Sequence, residues 1–156
     1  MASKVGRLLL SAASLLLLLL LLAPLAAATD VEYCKKGADY PVTVSGIEIF
    51  PYPIARGMPA TFNISASTGD EISEGKLIID VKYFGFHVHQ ETHDLCQETS
   101  CPVSTGDFVL SHQQTLPSFT PPGSYTLTMK LTGEQGKQLT CIVFDFSIGF
   151  ASVADS

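Results

Sequence analysis

The chain has 156 residues, nine basic and fifteen acidic, for a formal net charge of −6. That length fits one domain with a substantial core. An acidic chain without a basic cluster lacks the footprint of a nucleic-acid binder, and it is poorly suited to holding tightly onto an anionic membrane.

At the N-terminus, Lys4 and Arg7 form a short positive region, and Leu8 to Leu22 is an apolar run broken only by small residues. Ala26-Ala27-Ala28 then supplies the small-residue pattern that signal peptidase accepts. The run is shorter than the roughly 20 residues of a spanning helix. Residues 1–28 are therefore expected to be a secretory signal peptide and residues 29–156 the mature domain. Without Lys4 and Arg7 the balance is seven basic against fifteen acidic residues, net −8. No second apolar run of membrane length follows, and the terminal GFASVADS carries neither a lipid-anchor signal nor an ER-retention tail. The expected location is the secretory pathway, ending outside the cell (the apoplast of a plant) or in a vacuolar or lysosomal lumen.

The remainder reads as strands and turns. VTVSGIEIF changes the phase of its alternation around Gly46, which predicts a bulge. In TFNISAS, Phe62, Ile64 and Ala66 face inward, with Asn63 and Ser65 outward. In GKLIIDVKYF, Leu77, Ile79, Val81 and Tyr83 share one face, opposite Lys76, Asp80 and Lys82. SYTLTMKLTG sets Tyr125, Leu127, Met129 and Leu131 against Thr126, Thr128 and Lys130, and CIVFDFSIGF sets Ile142, Phe144, Phe146 and Ile148 against Asp145. Period-two alternation of this length indicates half-buried antiparallel strands. With turn signals such as ARGMP, STGDEISEG, FTPPGS and GEQGK, seven strands are predicted near 42–50, 58–67, 75–84, 86–91, 107–115, 123–132 and 138–149. That spacing indicates an all-β fold, a two-sheet β-sandwich, and the absence of Trp removes the Cys–Trp–Cys core of antibody domains.

Four cysteines, Cys34, Cys96, Cys101 and Cys141, suit two disulfides in an oxidising compartment. Three pairings are possible. Cys96 and Cys101 are near enough to close a small loop, which would leave Cys34 to tie the first segment to Cys141 in the last strand.

GFHVHQETHDLC places His87, His89 and His93 within seven residues. Three histidines can hold zinc with an open fourth position, but a site also needs partners that fix each ring. On a strand, His87 and His89 would share a side and His93 would follow the strand's end. Exposed loop histidines that respond to luminal pH are the simpler reading, so neither a metal nor another cofactor is expected. No Gly-x-Ser-x-Gly elbow is present, and Asp80 and Asp145 read as solvated charges, so the chain is not expected to be an enzyme. Asn63-Ile64-Ser65 is a glycosylation sequon on an outward position. Apolar residues also gather in two turn-rich segments, Phe84 and Phe86 around Gly85, and Leu116, Pro117 and Phe119 among prolines. A core does not need them there, and they suit the mouth of a pocket.

Several of these segments together resemble the ML lipid-recognition domain: GIEIFPYPIARGMPATFNISAS, GKLIIDVKYFGFHVH, the loop CQETSC, and LPSFTPPGSYTLTMKLTGEQGKQLTCIVFDFSI. This is the family of the Niemann–Pick type C sterol carrier and of secreted phosphatidylglycerol/phosphatidylinositol transfer proteins, and the likeness is closest to plant members. Gly123 to Phe144 is the most specific part. The resemblance implies an immunoglobulin-like sandwich whose sheets splay around an apolar cavity. It implies bridges Cys96–Cys101 and Cys34–Cys141. The third bridge of the sterol carrier has no counterpart in Phe50-Pro51-Tyr52-Pro53, which leaves both phospholipid and sterol open as cargo. The inward residues Phe62, Ile64, Leu77, Ile79, Val81, Tyr83, Tyr125, Leu127, Met129, Phe144 and Phe146 would then line the cavity. Phe84, Phe86, Leu116, Pro117 and Phe119 would form its mouth, with the histidines in a gate-side segment. The implied function is lipid binding and exchange with membranes by a monomer, through transient contact, with a membrane receptor as a further partner. The alternative is a protein-binding module or lipid-sensing co-receptor without transfer activity.

Overall fold

The computed structural model describes residues 11–19 and 26–152, with residues 11–19 helical. Most of the expected signal peptide therefore lies outside the described residues, and no described helix is long and apolar enough to cross a membrane. The strands are β1 (Ala27–Thr29), β2 (Glu32–Tyr33), β3 (Val42–Phe50), β4 (Ile54–Arg56), β5 (Pro59–Thr68), β6 (Lys76–Tyr83), β7 (Phe86–Asp94), β8 (Gly106–Thr115), β9 (Gly123–Thr132) and β10 (Gln138–Ser152). One sheet has the order β1-β3-β5-β8; the other runs β2-β10-β9-β6-β7, with β4 also paired to β10. The β4–β10 pairing is parallel and the others are antiparallel. The long strands are the seven read from alternation. The three short ones carry too few residues to show a period. The expected boundary at residue 28 falls inside β1, where Ala28 pairs with Glu48.

The alternation places side chains as the pattern requires. Ile64, Leu77, Leu131 and Ile142 are at most 1 % exposed between the sheets, whereas Asn63 is exposed on the outer face between Glu48 and Ser111. The β3–β5 register skips Ser45, so the predicted bulge falls one residue before Gly46. Disulfides join Cys34 to Cys141 and Cys96 to Cys101. The second closes a loop that begins with a helical turn, Leu95–Glu98. Asp94 caps that turn by accepting from the Cys96 N–H at 2.9 Å, and Leu95 anchors it in the core. The helical turn is a local surprise: four residues are too few to show a helical period.

Candidate functional site

The interior is filled along only part of its length. On β6, Leu77 belongs to the filled part, whereas Ile79, Val81 and Tyr83 border a cavity of about 430 Å³. The boundary crosses the other strands as well. On β9 it lies between Leu127 and Met129, on β10 between Phe144 and Phe146, and on β5 between Phe62 and Ile64. Register shows the boundary to be oblique: Ile79 at the cavity pairs with Met129 in the filled part, and Leu127 at the cavity pairs with Phe144 in the filled part. The cavity has the size of ordinary ligand pockets, roughly 300–1,000 Å³.

An aromatic wall closes one side. Tyr83 stacks on Tyr125 at 4.5 Å and Tyr125 on Phe146 at 5.5 Å, and Phe62 meets Phe146 edge-on at 6.0 Å. The tyrosine hydroxyls are turned away to backbone carbonyls. Tyr83 donates to Pro122 at 3.0 Å and Tyr125 to Pro121 at 2.7 Å, which leaves the rings as apolar surface. Burial holds the Tyr125 hydroxyl above its ordinary value of 10.0, helped by the neighbouring Tyr83 and opposed by Arg56. These bonds also fasten the proline-rich loop between β8 and β9. Arg56 adds bonds to the carbonyls of Ser118 (3.3 Å) and Thr120 (3.2 Å), and reaches the Phe150 carbonyl at the end of β10. The Gly57 N–H donates to Leu116 at 2.8 Å.

Within that fastened loop Phe119 lies against the cavity yet is 84 % exposed. Phe84 and Phe86 are 81 % and 74 % exposed. Phe84 lies in, and Phe86 directly follows, the tight turn between β6 and β7, where Phe84 and Gly85 both take positive φ, 51° and 78°. Tyr83 and Phe86 are directly paired, so two residues make the hairpin and both adopt the left-handed backbone favoured in such turns.

The opposite edge of the cavity is polar. His89 and Glu91 on β7 and His112 and Gln114 on β8 reach it. Glu91 accepts from His89 at 2.5 Å and from His93 at 2.7 Å, and the Gln114 amide nitrogen, oriented toward it, donates at 3.2 Å. Burial works to raise the Glu91 carboxyl, but the bonds from His93 and His89 and their positive charge outweigh it, and the group lies below its ordinary value of 4.5. His112 is buried and bonds to Glu98 at 3.2 Å.

Of the expected cavity residues, Phe62, Ile79, Val81, Tyr83, Tyr125, Leu127 and Phe146 border the space. Ile64, Leu77, Met129 and Phe144 sit in the filled part instead. Alternation assigns the face of a strand but not the depth along it. Of the mouth residues, Leu116, Pro117 and Phe119 border the cavity; Phe84 and Phe86 stand outside it on the hairpin tip. The histidine trio is split. The β6–β7 register passes from Val81–His89 to Lys82–His87, so Val88 is an extra residue on β7. This bulge turns His87 to the outer face, where it pairs with Asp80 at 2.9 Å, while His89 faces Glu91. His93 lies within β7 rather than beyond the strand. Ala60, Ile54, Ile148, Glu91, His112 and Gln114 border the cavity without having been singled out. For the last two a signal existed: LSHQQT puts Leu110, His112 and Gln114 on one alternating face, so a buried position was already followed by two polar ones.

Two splayed, mainly antiparallel sheets around an apolar cavity, with a mouth edged by exposed aromatics, define a binding sandwich for an apolar molecule. The ML domain family profile matches residues 28–148, and the chain belongs to that family. It is 33% identical over 130 residues to the MD-2-related lipid-recognition protein ROSY1 of Arabidopsis thaliana, covering 78% of this chain and 79% of that protein. It is 30% identical over 116 residues to a putative phosphatidylglycerol/phosphatidylinositol transfer protein of Dictyostelium discoideum, covering 72% and 80%. Among solved structures, a Niemann-Pick type C2 protein from the Japanese carpenter ant superposes with a TM-score of 0.63 at 15% identity, covering 77% of this chain and 99% of that one. Chicken MD-1 complexed with lipid IVa gives 0.50 at 18% identity, covering 79% and 96%. These last two likenesses are of fold.

Proposed function

We propose that the protein holds the apolar part of a phospholipid or sterol in the inter-sheet cavity and exchanges it with membranes. The observation that carries this reading is the position of the cavity: apolar walls open beside Phe119, with Phe84 and Phe86 exposed nearby. Names among its relatives support it, since they are lipid-recognition and phospholipid-transfer proteins. The mechanism needs no catalytic group. Roughly ten buried methylenes contribute about 8 kcal/mol relative to water, but a lipid in its bilayer is already dry. Exchange between membrane and cavity is therefore near balance, and rate is set by how the mouth meets the bilayer. The acidic domain favours brief contact through apolar side chains rather than electrostatic anchoring.

The same reading makes residues 1–28 a signal peptide, the domain a lumenal or extracellular monomer that works without enzymatic chemistry, and Asn63 a glycosylation acceptor on the face away from the cavity. A membrane receptor that takes the loaded protein fits this scheme as a later partner. The test is transfer between vesicles, run in parallel with a fluorescent phospholipid and a fluorescent sterol. Protein-dependent transfer of one of them supports carriage and names the class. Binding without acceleration of transfer would replace carriage by sensing.

A further inference from the structure

β7 and β8 form edges of opposite sheets, and at the cavity's polar side they bring together groups that alternation alone does not connect. Glu91 and His93 come from β7, His112 from β8, and Glu98 from the helical turn held by the Cys96–Cys101 bridge. The His93 and His112 rings lie 4.8 Å apart between the two carboxylates. On one side, Glu91 Oε2 faces Nε2 of His93 at 2.7 Å and Nε2 of His112 at 4.0 Å. On the other, Glu98 Oε1 faces Nδ1 of His112 at 3.2 Å and Nδ1 of His93 at 3.7 Å.

This arrangement has a direction. A carboxylate behind an imidazole holds the proton on the nitrogen facing it and leaves the other nitrogen as a lone-pair donor. Without a cation, His93 donates its Nε2 proton to Glu91 at 2.7 Å. An ion that displaced this proton would meet the Nε2 atoms of both histidines and Glu91 Oε2, with Glu98 beside the Nδ1 atoms at 3.2 Å (His112) and 3.7 Å (His93). The three ligand atoms converge on one point, which a cation would occupy in place of that proton. One ligand atom from each of Glu91, His93 and His112 lies within 4.8 Å of the others. A tetrahedral ion bonded at about 2.0–2.2 Å sets its ligands about 3.4 Å apart. The partly exposed His93 has room to make that adjustment.

We propose that Glu91, His93 and His112 form a binding site for a divalent transition ion of the zinc type, with Glu98 as the positioning residue behind both histidines. Two imidazoles and one carboxylate are a donor set suited to zinc, with a fourth position left open. Glu91 and His112 border the cavity, so the ion lies beside it. Because its ligands come from both sheets, the ion ties the edges of β7 and β8 together. The site differs from the trio suggested by GFHVHQETH: His87 is on the outer face and takes no part.

The test uses the purified protein with its disulfides formed, stripped with a chelator and titrated with CoCl2 and ZnCl2. The expected result is one equivalent of Co²⁺ with the visible absorption of a low-coordinate site, displaced by Zn²⁺. The melting temperature should rise with Zn²⁺ concentration, as mass action requires, and not with Mg²⁺. His93→Ala should abolish the Co²⁺ spectrum while keeping the metal-free melting temperature close to that of the parent. Glu98→Gln should weaken affinity roughly 10–100-fold and alter the Co²⁺ spectrum. His87→Ala should bind as the parent does. If His112→Gln does not fold, His93→Ala and Glu98→Gln still decide the matter. Failure of the parent to show a Co²⁺ spectrum or a zinc-dependent rise would overturn the proposal and leave protons as the positive charge in the cluster. Unchanged binding by His93→Ala would also overturn it. Neither result depends on which lipid, if any, the cavity carries.

Discussion

Replacing Ala60 by Leu and, separately, Ala66 by Leu should move stability in opposite directions. Both alanines lie on the inward face of β5 and both are buried, at 1 % and 4 % exposure. Ala60 borders the cavity, whereas Ala66 belongs to the filled part of the core. Ala→Leu adds roughly three carbons, and at about 0.8 kcal/mol per buried methylene the gain in an empty apolar space is about 2.4 kcal/mol. Restricting the new side chain costs roughly 0.5–1 kcal/mol, so Ala60→Leu should stabilise the lipid-free protein by about 1.5 kcal/mol. At Ala66 the same atoms must displace packed neighbours, which costs roughly 1–3 kcal/mol. Urea denaturation of delipidated protein reads the difference as a shift in midpoint at constant slope. Ala60→Leu should also take up less lipid, because it occupies the space the lipid would fill. If Ala60→Leu destabilised the protein as much as Ala66→Leu, the space beside Ala60 would be packed in solution and the two-part description of the interior would be wrong.

Phe84→Ser and Phe119→Ser should leave unfolding free energy within about 0.5 kcal/mol of the parent, because both side chains are exposed. Each should slow vesicle-to-vesicle transfer roughly tenfold or more, since inserting one Phe into a bilayer surface contributes roughly 1.5–3 kcal/mol. A transfer assay with both single variants and the double variant checks this. Removing the Cys34–Cys141 bridge by paired Ser substitution should cost far more than removing Cys96–Cys101, because the sequence separations are 107 and 5. The chain-entropy model gives about 4.7 kcal/mol and about 2 kcal/mol for loops of these sizes, to be compared by thermal unfolding. In alkaline titration followed by tyrosinate absorbance, Tyr125 should ionise after the exposed tyrosines, and Tyr125→Phe should remove that late component. Its folded value is raised, so its contribution to stability is complete below the unfolded value of about 10 and is lost as pH rises through the folded value.

How much of this was legible in the sequence depended on the distance over which each feature is encoded. Strand identity and facing are local, and Leu77, Ile79 and Val81 show both through simple alternation. Depth is not local. Leu77 and Ile79 have the same pattern and the same face, yet one packs in the filled core and the other borders the cavity. Which of them does so depends on where the opposite sheet diverges. The histidines show a second limit. His87 and His89 look equivalent at a spacing of two, and only the pairing with β6 reveals the extra residue that turns them to opposite faces. The polar cluster shows a third. His93 and His112 are brought together because β7 and β8 are facing edges, which follows from sheet order and not from spacing along the chain. The even count of cysteines suited two bridges, and the closeness of Cys96 to Cys101 suggested one of the three pairings; family likeness implied that pairing and the fold has it.

The central claim is that the cavity carries a lipid, and native mass spectrometry tests it most directly. The protein should be secreted from eukaryotic cells, incubated with vesicles of mixed phospholipid and sterol, re-isolated, and weighed intact and after denaturation. The account predicts a single lipid-sized mass difference that disappears on denaturation, is identified by fragmentation, and is reduced in Ala60→Leu. A protein that leaves the vesicles with no lipid-sized difference, in a folded state confirmed by its strand content, would contradict the account.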